Sequence, residues 1–243
     1  MGFLFLTMAA NQITMNEKLG KVYNLILRGY KICTDSRSQV KNSIFFALKG
    51  DTFDGNIFAQ SAIENGASLA VVDDEKLASS QNMVVVPNTL EFLQELAKHH
   101  RSKLKIPIIG LTGSNGKTTT KELIAQVLKK KFNTFFTQGN LNNHIGVPLS
   151  ILSITKSHEI AIIEMGANHI GEIANLCSIS QPTHGLITNI GMAHLEGFGS
   201  LEGVKTAKSE LYQYLAKTNA TVFVNSNNEV LLDLIKKHGN TEV

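Results

Sequence analysis

From Asn16 to Arg28 the apolar residues Leu19, Val22, Tyr23 and Ile26 recur at helical spacing, and Gly29 stands where a helix stops. Short β-rich runs follow at Lys31–Thr34, Ile44–Leu48, Leu69–Val72 and Met83–Val86, with a helix-like stretch from Ile57 to Asn65 closed by Gly66. Asn88 with Glu91 three residues on predicts the start of a helix that enters the basic stretch His99–Lys105. That polar stretch, ended by Pro107, is the expected domain boundary.

Beyond it the rhythm changes. Strands are expected at Ile108–Thr112, Thr134–Phe136, Ile160–Glu164, Gly185–Ile190 and Thr221–Asn225. Helices are expected at Thr118–Lys131, Gly171–Ser178, Leu201–Lys217 and Glu229–His238. Such alternation implies right-handed crossovers and a mostly parallel α/β sheet.

The 243 residues carry 43% hydrophobic and 18% charged residues, enough to build real cores. The 23 basic and 20 acidic side chains leave a net charge of +3, too small and dispersed to argue for a nucleic-acid or membrane surface. The apolar run Phe3–Leu6 lacks a basic flank and a cleavage site, and no segment is long enough to span a membrane, so neither a signal peptide nor a span is expected. Cys33 and Cys177 lie far apart without metal-ligand spacing, which suits buried free thiols and a reducing cytoplasm.

Ile108–Thr112 reads as a buried strand, and Gly113-Ser114-Asn115-Gly116-Lys117-Thr118-Thr119-Thr120 as a glycine-rich turn opening a helix. A polyphosphate suits that turn: backbone N–H groups approach the anion, Lys117 reaches the terminal phosphates and the Thr118 hydroxyl holds magnesium. Leu111 stands where the common GxxxxGK[ST] pattern has its first glycine. Glu164 ends an apolar strand at the carboxyl edge of the sheet, either as a magnesium ligand or as a salt-bridged strand end. His194 sits in the glycine-flanked loop Met192–Gly199, as a second-metal ligand or a surface residue. The other histidines are scattered, and most read as exposed or capping residues. The amides of Asn140, Asn142 and Asn143 either orient a substrate or cap turns.

Together Thr112–Thr119, Glu164-Met165-Gly166 and Thr188-Asn189 with His194-Leu195-Glu196 resemble the ATP-binding centre of the Mur ligases, which join amino acids or peptides to the cell-wall precursor. The segments Asn140–Pro148, Glu164–Ile173 and His194–Ser200 are most similar to the branch that adds D-alanyl-D-alanine to UDP-N-acetylmuramoyl-tripeptide. Thr34–Arg37, Ile44–Gly50 and Asp54–Phe58 resemble the uridine-nucleotide-binding domain of that branch, with Asn56 where histidine is usual.

The resemblance implies two α/β domains, residues 1–105 binding the UDP-linked peptide and residues 106–243 binding ATP on a P-loop. Family members carry a third, C-terminal domain, so the central domain is expected to be incomplete and the chain a fragment or a truncated gene product. The implied reaction is ATP-dependent amide ligation through an acyl phosphate, by a cytoplasmic monomer with small-molecule substrates and no nucleic acid partner. Gly113 to Thr119 would bind ATP, and Thr118 and Glu164 the first magnesium. His194 and Glu164 would serve a second ion with Lys208, which the resemblance marks for carbamylation; from spacing alone Lys208 is an exposed helix lysine. Ser36, Arg37, Lys49, Gly50 and Asp54 are implied in binding the UDP-linked substrate, and Asn140, Asn142 and Asn143 in holding substrate. The competing expectations are another amino-acid ligase of the same family and a non-catalytic module that binds ATP or a UDP-sugar.

Overall fold

The computed structural model describes residues 2–37, 40–78, 82–192 and 195–238. The chain divides into two compact units, Met1–Leu96 and Ala97–Val243.

In the first unit, helix α1 (Gly2–Leu27) precedes strands β1 (Lys31–Cys33) and β2 (Ser43–Phe46). A 3₁₀ turn leads into α2 (Ala59–Glu64), then β3 (Leu69–Val72), β4 (Met83–Val85) and the start of α3 (Thr89–Lys103), a helix that continues past Leu96 into the second unit. The strands pair in parallel in the order β1-β2-β3-β4. Every residue of β2 and β3 is buried, the pattern of a parallel sheet covered on both faces. Cys33, Phe45, Ala59, Ala62 and Val72 pack on one face, and Phe46 stacks on Phe92 of α3 with ring centroids 6.3 Å apart. Asn88 caps α3 as its sequence position predicts, its Oδ1 accepting from the N–H groups of Leu90 and Glu91.

The second unit contains β5 (Ile108–Thr112), α4 (Lys117–Leu128), β6 (Thr134–Phe136), α5 (Gly146–Leu152), β7 (Ile160–Glu164) and α6 (Glu172–Ser180). It continues through β8 (His184–Ile187), α7 (Leu195–Phe198), α8 (Leu201–Lys217), β9 (Thr221–Phe223) and α9 (Glu229–Lys237). All five strands are parallel in the order β6-β7-β5-β8-β9. The chain leaves β5 toward β6 and leaves β8 toward β9, so the order reverses between β5 and β8, and a crevice opens at their carboxyl ends.

The structure differs from the sequence pattern in several places, among them the short helix α7 within the loop expected at Met192–Gly199. Helix α1 starts at Gly2 rather than near Asn16. Strand β8 ends at Ile187 rather than Ile190, because Thr188 and Asn189 turn to bond the loop after β5. Helix α5 forms where only an amide-rich loop is expected; Pro148 lies in its first turn, where a missing N–H costs no helical bond, and Val147, Ile151 and Leu152 are buried. The polar stretch after His99 is helical through Lys103, with His100 and Arg101 buried within the second unit. Arg101 donates to the carbonyls of Ser180, Gln181 and Leu104, satisfying the C-terminal end of α6.

Candidate functional site

The loop from Gly113 to Gly116 joins the buried strand β5 to the first turn of α4. Gly113 has φ +146°, and a Cβ there would collide with the Thr188 hydroxyl; Gly116 caps α4 in the left-handed region at φ +74°. The continuation of β8 holds the loop. Ser114 N–H donates to Asn189 O at 3.1 Å, Asn115 N–H to Asn189 Oδ1 at 3.0 Å, and the Thr188 hydroxyl to Asn115 O at 2.7 Å. The Ser114 hydroxyl and Gly191 exchange two further bonds. Thr188 and Asn189 thus lock the phosphate loop rather than line it.

Lys117 folds back over this loop, its ammonium 2.8 Å from Gly113 O and 3.3 Å from Ser114 O. Burial lowers its pKa and the charge of Glu164 opposes that shift. Glu164 closes β7 with 2% of its surface exposed. The Thr118 hydroxyl lies 3.2 Å from its Oε2, and Asn142 Nδ2 donates to its Oε1 at 2.9 Å. A buried carboxylate facing a hydroxyl at a helix N-terminus supplies hard oxygen ligands, the donor set magnesium takes. Lys121 also reaches Glu164, at 3.7 Å, so this carboxylate ends its strand in a salt bridge while its oxygens face Thr118. Lys121 is the residue the sequence reading omits, although its i, i+4 spacing from Lys117 places both on one face of α4.

Asn143 caps α5, its Oδ1 accepting from the N–H groups of Ile145 and Gly146, while Asn140 is exposed. Thr119 is exposed on the first turn of α4. Beside Lys117 and Asn142 a cleft of about 480 Å³ opens, lined also by Asn143, Asn168, His169 and Glu172. His169 Nδ1 lies 3.0 Å from Glu172 Oε1, and Glu172 Oε2 accepts from Asn168 N–H. Burial works to raise the Glu172 pKa, but these hydrogen bonds outweigh it and hold the carboxyl below its ordinary value.

Lys208 is 2% exposed, which overturns the reading of a solvated helix lysine. Its ammonium donates to Ala167 O at 3.3 Å and lies 5.2 Å from the Phe198 ring centroid. Burial first, and Lys117 second, bring its pKa down to about 8, against the opposing charges of Glu172 and Glu210. Glu210 binds the N–H groups of Gly171 and Ala174 at the start of α6. His194 lies outside the described residues, and among those described no group of three His, Cys, Asp or Glu could hold a metal ion.

In the first unit, Ser36 and Arg37 line a cleft of about 380 Å³ with Thr34, Phe53, Gly55 and Phe58. Arg37 is held by Asp35 through Nε and Nη2 at 2.9 and 3.0 Å, which raises its pKa while lowering that of Asp35. Lys49 instead pairs with Asp73 at 2.8 Å and approaches Asp54 at 3.9 Å. Asn56 links these two carboxylates, its Nδ2 donating to both at 2.7 Å, and Gly50 N–H bonds Phe53 O.

Against known proteins, the Mur ligase middle domain model matches residues 111–243, and the model of the Mur ligase family, catalytic domain, matches residues 30–101. A UDP-N-acetylmuramoyl-tripeptide–D-alanyl-D-alanine ligase from Haemophilus influenzae is 44% identical over 211 residues, covering 85% of this chain and 46% of its own. The crystal structure of MurF from Thermotoga maritima in complex with ADP aligns with a TM-score of 0.78 at 34% identity, covering 86% of this chain and 48% of that one. MurF from Acinetobacter baumannii aligns at 0.77 and 36%, covering 85% and 46%. The chain spans about half the length of the curated relatives it matches.

Proposed function

The chain belongs to the Mur ligase family, and from that premise we propose that it carries the UDP-substrate-binding and ATP-binding parts of a ligase adding D-alanyl-D-alanine to UDP-N-acetylmuramoyl-tripeptide. One observation carries the reading: the buried Glu164 carboxylate meets Thr118 of the phosphate loop at the carboxyl ends of the neighbouring strands β5 and β7. The names of the relatives supply the substrates.

The proposed reaction has two displacements. A tripeptide carboxylate oxygen attacks the γ-phosphorus of ATP, the bond to the bridging oxygen breaks, and ADP leaves. The dipeptide amine then attacks the acyl carbon, inorganic phosphate departs and the amine gives up its proton. Little covalent chemistry falls to the protein, whose work is to position the reactants and stabilise charge. The loop N–H groups and the N-terminus of α4 hold the phosphates, and Lys117 exchanges its carbonyl partners for phosphate oxygens. Thr118 and Glu164 would hold magnesium, with Asn142 fixing the carboxylate. When bound, that ion neutralises charge on the transferring phosphoryl group.

Lys208 as a carbamate would add an oxygen ligand beside this centre. Carbon dioxide adds only to a neutral amine, and a pKa of about 8 leaves about a tenth of the lysine neutral near pH 7. The cleft beside Asn142 and His169 would receive the dipeptide, and Ser36 with Arg37 the UDP moiety, with the aromatic wall of Phe53 and Phe58 alongside. Lys49, Gly50 and Asp54 would act by shaping that site.

Calorimetric titration with UDP-N-acetylmuramoyl-tripeptide and with magnesium ATP tests this reading. Both should bind, the first weakened by Arg37→Ala and the second by Lys117→Ala. Binding of ATP alone by a folded chain would favour a nucleotide-binding module without the ligase role, and binding of neither would overturn the proposal.

A further inference from the structure

Lys121 lies one turn beyond Lys117 on α4 and points at the same sheet edge. Its side chain is 1% exposed, with its ammonium 3.7 Å from Glu164 Oε2 and 3.3 Å from Glu122 Oε1 at the surface. A buried ammonium is costly without a partner, so this pair is a balanced unit: one positive and one negative group, both withdrawn from water. Thr118 adds only a neutral hydroxyl and Asn142 an amide donor, while Lys117 brings a second positive charge within the field of Glu164. The phosphate-loop centre therefore has no surplus negative charge before a nucleotide arrives.

We propose that Lys121 is a positioning residue that serves as the built-in counter-charge of Glu164. It keeps the carboxylate aimed at Thr118 while the nucleotide is away, and its own charge prevents the empty site from retaining a divalent cation. Magnesium accordingly enters and leaves with the phosphates. This rests on the proposed magnesium role of Thr118 and Glu164. A divalent cation favours a shell of about six oxygens, and one carboxylate with one hydroxyl leaves most of that shell to phosphates and water. The nearby ammonium repels the cation, and removing a like charge at this range should raise affinity by about tenfold or more.

Manganese binding, read by electron paramagnetic resonance near pH 8, tests the inference. The parent chain without nucleotide should bind the ion at least about tenfold more weakly than with ADP present. Tight binding by the nucleotide-free parent would overturn the inference with no variant needed. In folded Lys121→Met and Lys121→Gln, nucleotide-free affinity should rise by about tenfold, whereas Lys121→Arg should behave as the parent. A residue needed only for packing would give no gain in affinity and no rescue by arginine. Unchanged or weaker nucleotide-free binding in the neutral variants sinks the inference alone. If Glu164→Gln leaves manganese–ADP binding intact, the magnesium reading itself fails, and the inference with it.

Discussion

Lys208 gives the residue scale its sharpest pH signature. Its pKa falls from 10.5 to about 8 on folding, chiefly through burial, so between those values the unfolded chain binds a proton that the folded chain does not. Stability contributed by this residue therefore rises with pH across that window, and the full penalty is present below about 8. Lys208→Met should gain about 2 kcal/mol over the parent near pH 7, with the gain shrinking above about pH 8 and gone only above about pH 10.5, as measured by urea denaturation. A constant difference across that range would show that burial does not penalise the ammonium. The sequence marked Lys208 only through resemblance, because helical spacing does not reveal whether a lysine faces solvent or a neighbouring helix. Lys121 was missed for the same reason, and His100, in a group of histidines most of which read as exposed or capping, is buried with Nε2 2.8 Å from Ile154 O. The phosphate loop was legible because its glycines, lysine and threonine occupy positions set by backbone geometry.

At the scale of elements, Gly113 and Gly116 separate steric closeness from backbone strain. Gly116→Ala has open space around its Cβ and should cost about 1–2 kcal/mol for the left-handed backbone alone. Gly113→Ala would also displace Thr188, so it should cost more and weaken nucleotide binding, which denaturation and ATP titration measure together. Equal costs would mean that Thr188 moves freely. Arg101 tests how α6 ends. Arg101→Met strips its charged hydrogen bonds from buried carbonyls and should destabilise the second unit by about 3 kcal/mol, read by chemical denaturation. A loss under about 0.5 kcal/mol would mean that those carbonyls find other partners. Apolar runs such as Ile108–Leu111 and Ile160–Ile163 made the strands readable. Helix α5 was not, since Gly146-Val147-Pro148 has the composition of a turn and only burial of Val147 and Ile151 favours helix.

On the scale of the whole molecule, each compact unit holds its own parallel sheet and its own cleft. Ligands binding the native state stabilise it by mass action, about 2.7 kcal/mol at a hundredfold excess over Kd. Hydrogen exchange should therefore show magnesium ADP protecting the loop after β5 and Thr188–Gly191, and the UDP-linked peptide protecting residues 34–58. Protection by either ligand spread evenly over both units would contradict separate sites. The order β6-β7-β5-β8-β9 has one more consequence, which concerns synthesis. Strand β5 forms its ladders with segments that leave the ribosome dozens of residues later, and Asn189 and Gly191 must arrive before the phosphate loop is bonded. Contacts so distant in sequence form slowly. Nucleotide capture by a nascent chain thus reports that translation has passed Gly191 and that the central strands have closed.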